Sequence, residues 1–471
     1  MSDLLFADYR RAALCSRVAG ALCVVLTLSS CAETRIPAMT VQARPLGQEL
    51  PVYHPPPGDS GRPRPPTVEN PTAAISLRDA VALALIQSPE LATFAWETRA
   101  RESRIVQAGK LPNPVVGVLA EDLEVSRLAG SSNSQVVQTQ ATVQLSQIIE
   151  LGGKRTARQT LATLNRELAA WDYETARIEV LTQVTRAFID VLAAQELVAL
   201  TTRTTKLVEE VQQSVSTRVT AGVVSPIEQT RAEVALAAAR VELDRATRLL
   251  DASRRRLVAF WGASEPTFHA ALGTLTVRPQ PPSFTELSAR VTENPDLARW
   301  ASEIAQRRAS LALEQSKRVP DVTASAGYRR FTDADRNAII VGLSVPLPVF
   351  DRNEGGIAEA RNRLAKAYEE QRATQARVAT ALAEAYRVLS SAHQEVLTLQ
   401  SAVLPGVQQT FAAVSEGYRL GKFGYLDVLD AQRTLISASG QHLRALADYH
   451  KAIADVERLT GVPLNASAPR P

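Results

Sequence analysis

Two periods alternate along this chain. Short segments with apolar residues at every second position precede much longer ones of helical period. From Val137 to Ser146, Val137, Thr139, Ala141, Val143 and Leu145 share one face. Gln138, Gln140, Thr142, Gln144 and Ser146 share the other, because successive strand side chains point to opposite sides. Val322, Ala324, Ala326 and Tyr328 alternate with Thr323, Ser325, Gly327 and Arg329. Ile339, Val341, Leu343 and Val345 oppose small residues between Ala338 and Val345, and Val115 to Glu121 is a fourth, weaker case. The pattern predicts four strands, each with one apolar and one polar or small face. Strands of this kind suit an outer-membrane barrel and equally a soluble antiparallel sheet lying on a core. The alternation alone leaves both open.

The helical segments are unusually long. Lys154 to Ala221 contains neither Gly nor Pro, a run of 221 − 154 + 1 = 68 residues. As one helix it would reach about 100 Å at 1.5 Å per residue. That length predicts a coiled coil or helical barrel. Leu382, Leu389, Val396 and Val403 recur every seven residues, with Val378, Ala385, Ala392 and Leu399 at the complementary position. A seven-residue repeat keeps one seam turned toward a partner helix. Two shorter helices are expected, Ile75 to Gly109 with Ser76 as N-cap and a break at Pro89, and Thr285 to Arg318 with Pro295 at the matching place.

These elements occur twice. Gly222 and Gly421 interrupt helical runs 421 − 222 = 199 residues apart, and Gly262 and Gly461 close them at the same separation, 461 − 262 = 199. Ser88-Pro89-Glu90-Leu91 recurs as Asn294-Pro295-Asp296-Leu297, and Leu111-Pro112-Asn113-Pro114 as Val319-Pro320-Asp321-Val322. A period near two hundred exceeds any solenoid unit and marks a duplicated half-molecule. Residues 75–270 form the first repeat and 271–464 the second, followed by a tail at 465–471.

The N-terminus adds a location. Arg10, Arg11 and Arg17 precede an apolar stretch from Val18 to Leu28, which runs into Ser29-Ser30-Cys31. This predicts a signal peptide over residues 1–30. Leu28-Ser29-Ser30-Cys31 resembles a bacterial lipoprotein signal, with Cys31 as the acylated residue. Ala32 beside it resembles lipoproteins sent to the outer membrane. Asp3 and Asp8 are unusual in such a basic region and suggest a start further downstream. All three cysteines lie here (Cys15, Cys23, Cys31), which argues against a disulfide framework. Ten of the 26 prolines fall between Pro37 and Pro71, predicting an extended tether over residues 31–74.

No apolar run reaches 18 residues, so no membrane-spanning helix is expected. Four strands cannot close on themselves, yet in lipid an open edge leaves backbone groups unsatisfied. If the strands span a membrane, several chains must pool them, and a trimer would supply 4 × 3 = 12. The formal charge of +4 is small and dispersed, without the concentrated basic face of a nucleic-acid binder.

Taken together, the chain resembles the TolC-type outer-membrane efflux family over Ile75 to about Leu464. The most specific stretch runs from Glu416-Gly417-Tyr418-Arg419-Leu420-Gly421 through Leu426-Asp427-Val428-Leu429-Asp430-Ala431. Ile149-Glu150-Leu151-Gly152-Gly153-Lys154-Arg155 and Pro346-Leu347-Pro348-Val349-Phe350-Asp351-Arg352-Asn353 are similar to the subfamily serving cobalt–zinc–cadmium export. The resemblance implies a mainly α protein with a small transmembrane β part, a homotrimer whose 12-stranded β-barrel continues as a long periplasmic coiled-coil α-barrel. It implies an outer-membrane channel of a tripartite pump, working with a periplasmic adaptor and an inner-membrane RND transporter among outer-membrane lipids. Divalent heavy-metal cations are the expected cargo, with drugs or small organic compounds as the alternative.

Candidate site residues follow from the same stretches. Asp427 and Asp430 stand three apart on a helix and share a face. In a trimer they would form rings of carboxylates that concentrate cations. A solvated face paired with Arg433 is the plainer reading. The resemblance places Glu228 and Tyr418 in a latch between neighbouring hairpins, with Phe423 and the adjacent Lys422 where the family carries an arginine. Gly222, Val223, Pro226, Gly421, Lys422, Phe423 and Gly424 would form the adaptor-docking tips.

No nucleophile–base pair, phosphate loop or metal-ligand set stands out, and the five histidines (His54, His269, His393, His442, His450) are dispersed. An enzyme is not expected, nor a resident metal or cofactor. Two other classes compete: a periplasmic coiled-coil adaptor lipoprotein and an envelope protein that only bridges membranes. Two hairpins and four membrane-type strands oppose the first, and ion conductance would separate the channel from both.

Overall fold

The computed structural model describes residues 41–55, 72–121, 140–277, 280–331 and 336–464. The expected signal peptide, Cys31, the tail at 465–471 and the first positions of the Val137–Ser146 segment lie outside them.

Strand β1 (Ala74–Ser76) leads into helix α1 (Leu77–Gln87), whose N-cap is Ser76. Its hydroxyl accepts the Asp79 N–H at 3.2 Å while Asp79 reaches back to the Ser76 N–H, satisfying two otherwise unpaired helix-start donors. Helix α2 (Pro89–Ala108) restarts at Pro89, because proline lacks the N–H that an interior helical position must donate. Strands β2 (Val115–Glu121) and β3 (Gln140–Ile149) follow, then the long helix α3 (Lys154–Thr220) and its return α4 (Pro226–Ala259). The second half repeats the order. Strand β4 (Ala270–Leu272) precedes α5 (Phe284–Arg290) and α6 (Pro295–Ser316). Strands β5 (Val322–Phe331) and β6 (Arg336–Ser344) come next. Helices α7 (Glu354–Thr398), α8 (Leu404–Arg419) and α9 (Tyr425–Thr460) complete the chain.

The Pro-interrupted helices correspond across the repeats. Ser88 caps α2 through Leu91 N–H and Asn294 caps α6 through Asp296 N–H, each followed by proline at the first helical position. The seven-residue seam is buried: Leu382, Leu389 and Val396 of α7 pack with Ala445, Tyr449, Ala452 and Val456 of α9. Between α7 and α8 the helix widens to a π-turn at Leu399–Val403, which accommodates Pro405 without ending the seam. Two large cores result. One gathers Ile75, Leu85, Leu91, Ile178, Val184, Phe188, Leu257 and Trp261, and the other is the α7–α9 seam closed by Leu287. No helix among the described residues is long and apolar enough to cross a membrane.

The four longer strands form one antiparallel sheet in the order β2-β3-β5-β6, so the repeats meet at its centre, where Val143 pairs with Tyr328 and Leu145 with Ala326. Both edges, β2 and β6, are unpaired among the described residues. The register aligns Val116 and Val118, Leu145 and Val143, Ala326 and Tyr328, and Val341 and Ile339 on a single face. That face is open to the surroundings: Val118 is 76% exposed and Val341 78%. The opposite, polar face is the more enclosed, with Thr142 buried and accepting from Arg329 Nε at 3.0 Å. A soluble sheet on a core would have the reverse arrangement. The alternative left open by the alternation is therefore resolved by which face is covered.

Below the sheet, a polar collar joins strands to helices. Lys154 Nζ meets Asp321 Oδ1 at 2.6 Å, and Leu151 N–H donates to the same oxygen at 3.0 Å. Arg158 Nη2 donates to Glu150 Oε2 at 2.9 Å, and Asn353 Nδ2 to Glu314 Oε2 at 2.8 Å. The subfamily-like stretches at 149–155 and 346–353 supply much of this collar. The Pro-rich segment does not run free throughout: residues 41–55 lie on the folded body, with Leu46 and Tyr53 buried. Nor is it extended throughout: residues 45–50 fold into turns, with Gln48 N–H donating to Pro45 O at 3.3 Å and Leu50 N–H to Gly47 O at 3.2 Å, because proline excludes helix and central strand but not turns.

Candidate functional site

The two interhelical turns share one construction. Helix α3 ends at Thr220, and Gly222 follows with φ +72°. Helix α8 ends at Arg419, and Gly421 follows with φ +73°. Val223 N–H returns to Arg218 O at 2.9 Å and Lys422 N–H to Gly417 O at 2.8 Å, the six-residue closure that satisfies a terminal helix carbonyl. The left-handed φ at both positions accounts for the glycines. Ser225 starts α4 ahead of Pro226, accepting weakly from Ile227 N–H at 3.4 Å. At the other tip Gly424 has no side chain to cap the helix, and Asp427 makes only the reciprocal half of a capping box by accepting the Gly424 N–H at 2.9 Å. Asp427 and Glu228 hold corresponding places, 427 − 228 = 199, and both lie in a first helical turn, where a carboxylate is favoured by the helix dipole.

The hairpins meet just behind these turns. Val215 and Ala232 of the first hairpin are buried with Tyr418, Tyr425 and Val428 of the second. Arg218 Nη1 donates to the Tyr418 carbonyl at 2.8 Å, and its guanidinium carbon lies 4.4 Å from the Tyr418 ring centroid. The Tyr418 and Tyr425 rings are 6.3 Å apart. Burial pushes both phenols above their ordinary pKa, partly opposed at Tyr418 by Arg218. Tyr418 Oη and Glu228 Oε2 are enclosed without a hydrogen-bond partner among the described residues.

The resemblance puts Phe423, with Lys422 adjacent, where the family carries an arginine, and leaves the cation of the junction unnamed; Lys422 is exposed at the turn. Arg218 supplies that cation from the other hairpin. The available signal was its position, a basic residue in the last turn of α3 immediately before Gly222. Phe423 instead lies over Gly417, where an added methyl group would collide with its ring.

Asp427 and Asp430 are exposed and line one groove with Val407, Thr410, Val414, Phe423, Ala431 and Thr434. They share a face as their spacing required. Neither forms an ion pair among the described residues, so the pairing with Arg433 does not occur. Gly222, Val223, Gly421, Lys422, Phe423 and Gly424 are all exposed at the turns. Asp427 thus has a structural duty as a helix-start acceptor and a free face toward the groove, whereas Asp430 has only the free face.

The chain matches the model of the "Outer membrane efflux protein" family over residues 80–263 and 288–462, one match in each repeat. It is 37% identical over 387 residues to the cobalt-zinc-cadmium resistance protein CzcC of Cupriavidus metallidurans, covering 82% of this chain and 90% of that protein. It is 27% identical to the nickel-cobalt-cadmium resistance protein NccC of Alcaligenes xylosoxydans xylosoxydans, covering 70% and 71%. Among solved structures, CusC superposes with a TM-score of 0.69 at 13% identity, over 88% of this chain and 99% of that one. Family model, relatives and fold agree, and the chain belongs to the outer membrane efflux protein family.

Proposed function

We propose that this efflux channel is the outer-membrane conduit of a tripartite pump for divalent heavy-metal cations. Three copies would pool 4 × 3 = 12 strands into one barrel. The observation that carries the channel reading is the sheet with an exposed apolar face and two unpaired edges. The metal cargo rests on the 37% identity to CzcC, supported by the unpaired Asp427 and Asp430 on one groove. Such acids, repeated by symmetry, would raise the local cation concentration at a constriction. The chain itself would be passive, with energy and most selectivity supplied by an inner-membrane RND transporter through a periplasmic adaptor at the tips. Acylation of Cys31 would hold the N-terminus at the membrane.

Two measurements test this. Reconstituted protein in planar bilayers should conduct ions as a trimer. A deletion strain should lose tolerance to cobalt, zinc, cadmium or copper. Unchanged metal tolerance with lost drug resistance would replace the cargo while keeping the channel.

A further inference from the structure

We infer that Glu174 and Arg177 form a built docking site for the chain's own backbone, occupied by residues Arg44 to Tyr53, and that this docking staples the two repeats together. The Arg177 and Glu174 side chains are only 3% and 5% exposed. They bind each other through Nε–Oε2 at 2.8 Å and Nη2–Oε1 at 2.7 Å. The remaining capacity of the pair is directed at main-chain atoms of the strap. Arg44 N–H donates to Glu174 Oε1 at 2.6 Å. Arg177 Nη1 donates to Leu46 O at 2.9 Å and Nη2 to Arg44 O at 3.2 Å. A buried ion pair gains little over an apolar pair unless its leftover donors and acceptors are satisfied. Here the strap satisfies them, so the pair has the character of a site with its ligand bound.

The strap then reaches both repeats. In the first, Tyr53 N–H donates to Leu85 O at 3.2 Å, and the Arg44 guanidinium lies 5.0 Å over the Trp171 ring. In the second, Arg44 Nη1 meets Glu293 Oε2 at 2.8 Å, and Leu46 N–H donates to Gly461 O at 3.3 Å. Gly47 makes the bend with φ +68°, and a side chain there would strike Leu181. The site recognises the main chain of Arg44 and Leu46 where the segment enters consecutive turns over residues 45–50, plus two side-chain features, a buried leucine and a following glycine. The segment is therefore attached to the protomer by a docking contact independent of any lipid on Cys31.

Hydrogen exchange on the full-length protein in detergent tests the inference. The amides of Arg44, Leu46 and Tyr53 should exchange at least about a hundredfold more slowly than in a free peptide, as docked segments do. Gly47→Val, which alters no residue of α3 or α9 but sets a side chain against Leu181, should abolish that protection while the backbone amides of α3 and α9 keep theirs. Glu174→Gln with Arg177→Met should do the same without leaving a lone buried charge. Strap amides that exchange freely in the unmodified chain would overturn the proposal, as would protection that survives Gly47→Val. Cys31→Ser separates this site from the anchor: protection should persist in it, and its loss there would also refute an independent docking site.

Discussion

Arg218 and Tyr418 tie the two hairpins together at their tips: the guanidinium donates to the Tyr418 carbonyl at 2.8 Å and stacks 4.4 Å from its ring centroid. One arginine thereby closes a terminal carbonyl of α8 and covers the aromatic face beneath it. Arg218→Ala removes a charge-assisted hydrogen bond and a cation–π contact, together about 2–4 kcal/mol locally. We expect faster amide exchange around residues 411–432 and a larger conductance in planar bilayers. Arg218→Lys should restore little, since an ammonium cannot reproduce the planar fork. Unaltered exchange and conductance in Arg218→Ala would remove this residue from the junction's control.

Phe423 and Gly417 form a second, purely steric relationship. A methyl at position 417 has no space under the Phe423 ring. Gly417→Ala should therefore displace the half-exposed Phe423 ring and cost the tip about 1 kcal/mol, partly offset by the better helix propensity of alanine. Phe423→Ala in the same chain should recover most of it, and the double-mutant cycle would show coupling only if the two residues touch. Additive effects would mean that the ring sits elsewhere.

The two acids at the groove separate by duty. Asp427→Ala with Asp430→Ala should lower cation preference and weaken block by multivalent cations. Asp427 also accepts the Gly424 N–H, so its loss alone should cost about 1 kcal/mol of helix-start stability. Asp427→Asn with Asp430→Asn keeps an acceptor oxygen for the Gly424 N–H while removing both charges. Selectivity should fall in this variant as far as in the double alanine. If selectivity follows the cap and not the charge, the acids are structural.

Much of this was legible in the sequence because long-range form here follows from local period. The 68-residue run without Gly or Pro became the 67-residue α3, since nothing in it could stop a helix. Leu382, Leu389 and Val396 are buried because a seven-residue repeat can present only one seam. What stayed hidden depended on contacts between distant segments. Arg218 reaching Tyr418 across 200 positions leaves no periodic trace. Neither does the parallel pairing of Ala74–Ser76 with Ala270–Leu272, since three residues are too few to show a period. Whether the apolar strand face was covered or open required the register of all four strands.

The collar below the sheet should make the protein acid-labile. Partial burial works against charge on Asp321, yet Lys154, the Leu151 N–H and Arg158 together hold its carboxyl below the usual range. The Arg158 fork depresses Glu150, and Lys317 with Asn353 depresses Glu314. A carboxyl lowered on folding contributes stability above its unfolded pKa of about 4, and that contribution is lost as pH falls through the lower folded value. The melting temperature should hold from neutral pH to about pH 5 and fall progressively below about pH 4. Asp321→Asn should melt lower at neutral pH and show a shallower loss in acid.

The exposed sheet face supplies the test that reaches furthest into function. Val143 and Val341 stand on the open apolar side, while Gln144 and Gly342 stand opposite. In water, replacing an already exposed valine by lysine would change stability little. In a bilayer midplane a lysine costs about 2–4 kcal/mol and falls toward zero near the interfaces. Val143→Lys and Val341→Lys should therefore leave the helical signal of the solubilised protein intact while reducing the fraction recovered in the outer membrane. Gln144→Lys, on the opposite face, should be recovered normally. Equal recovery of all three variants would mean that this face does not meet lipid, and the strands would need another occupant for their open side.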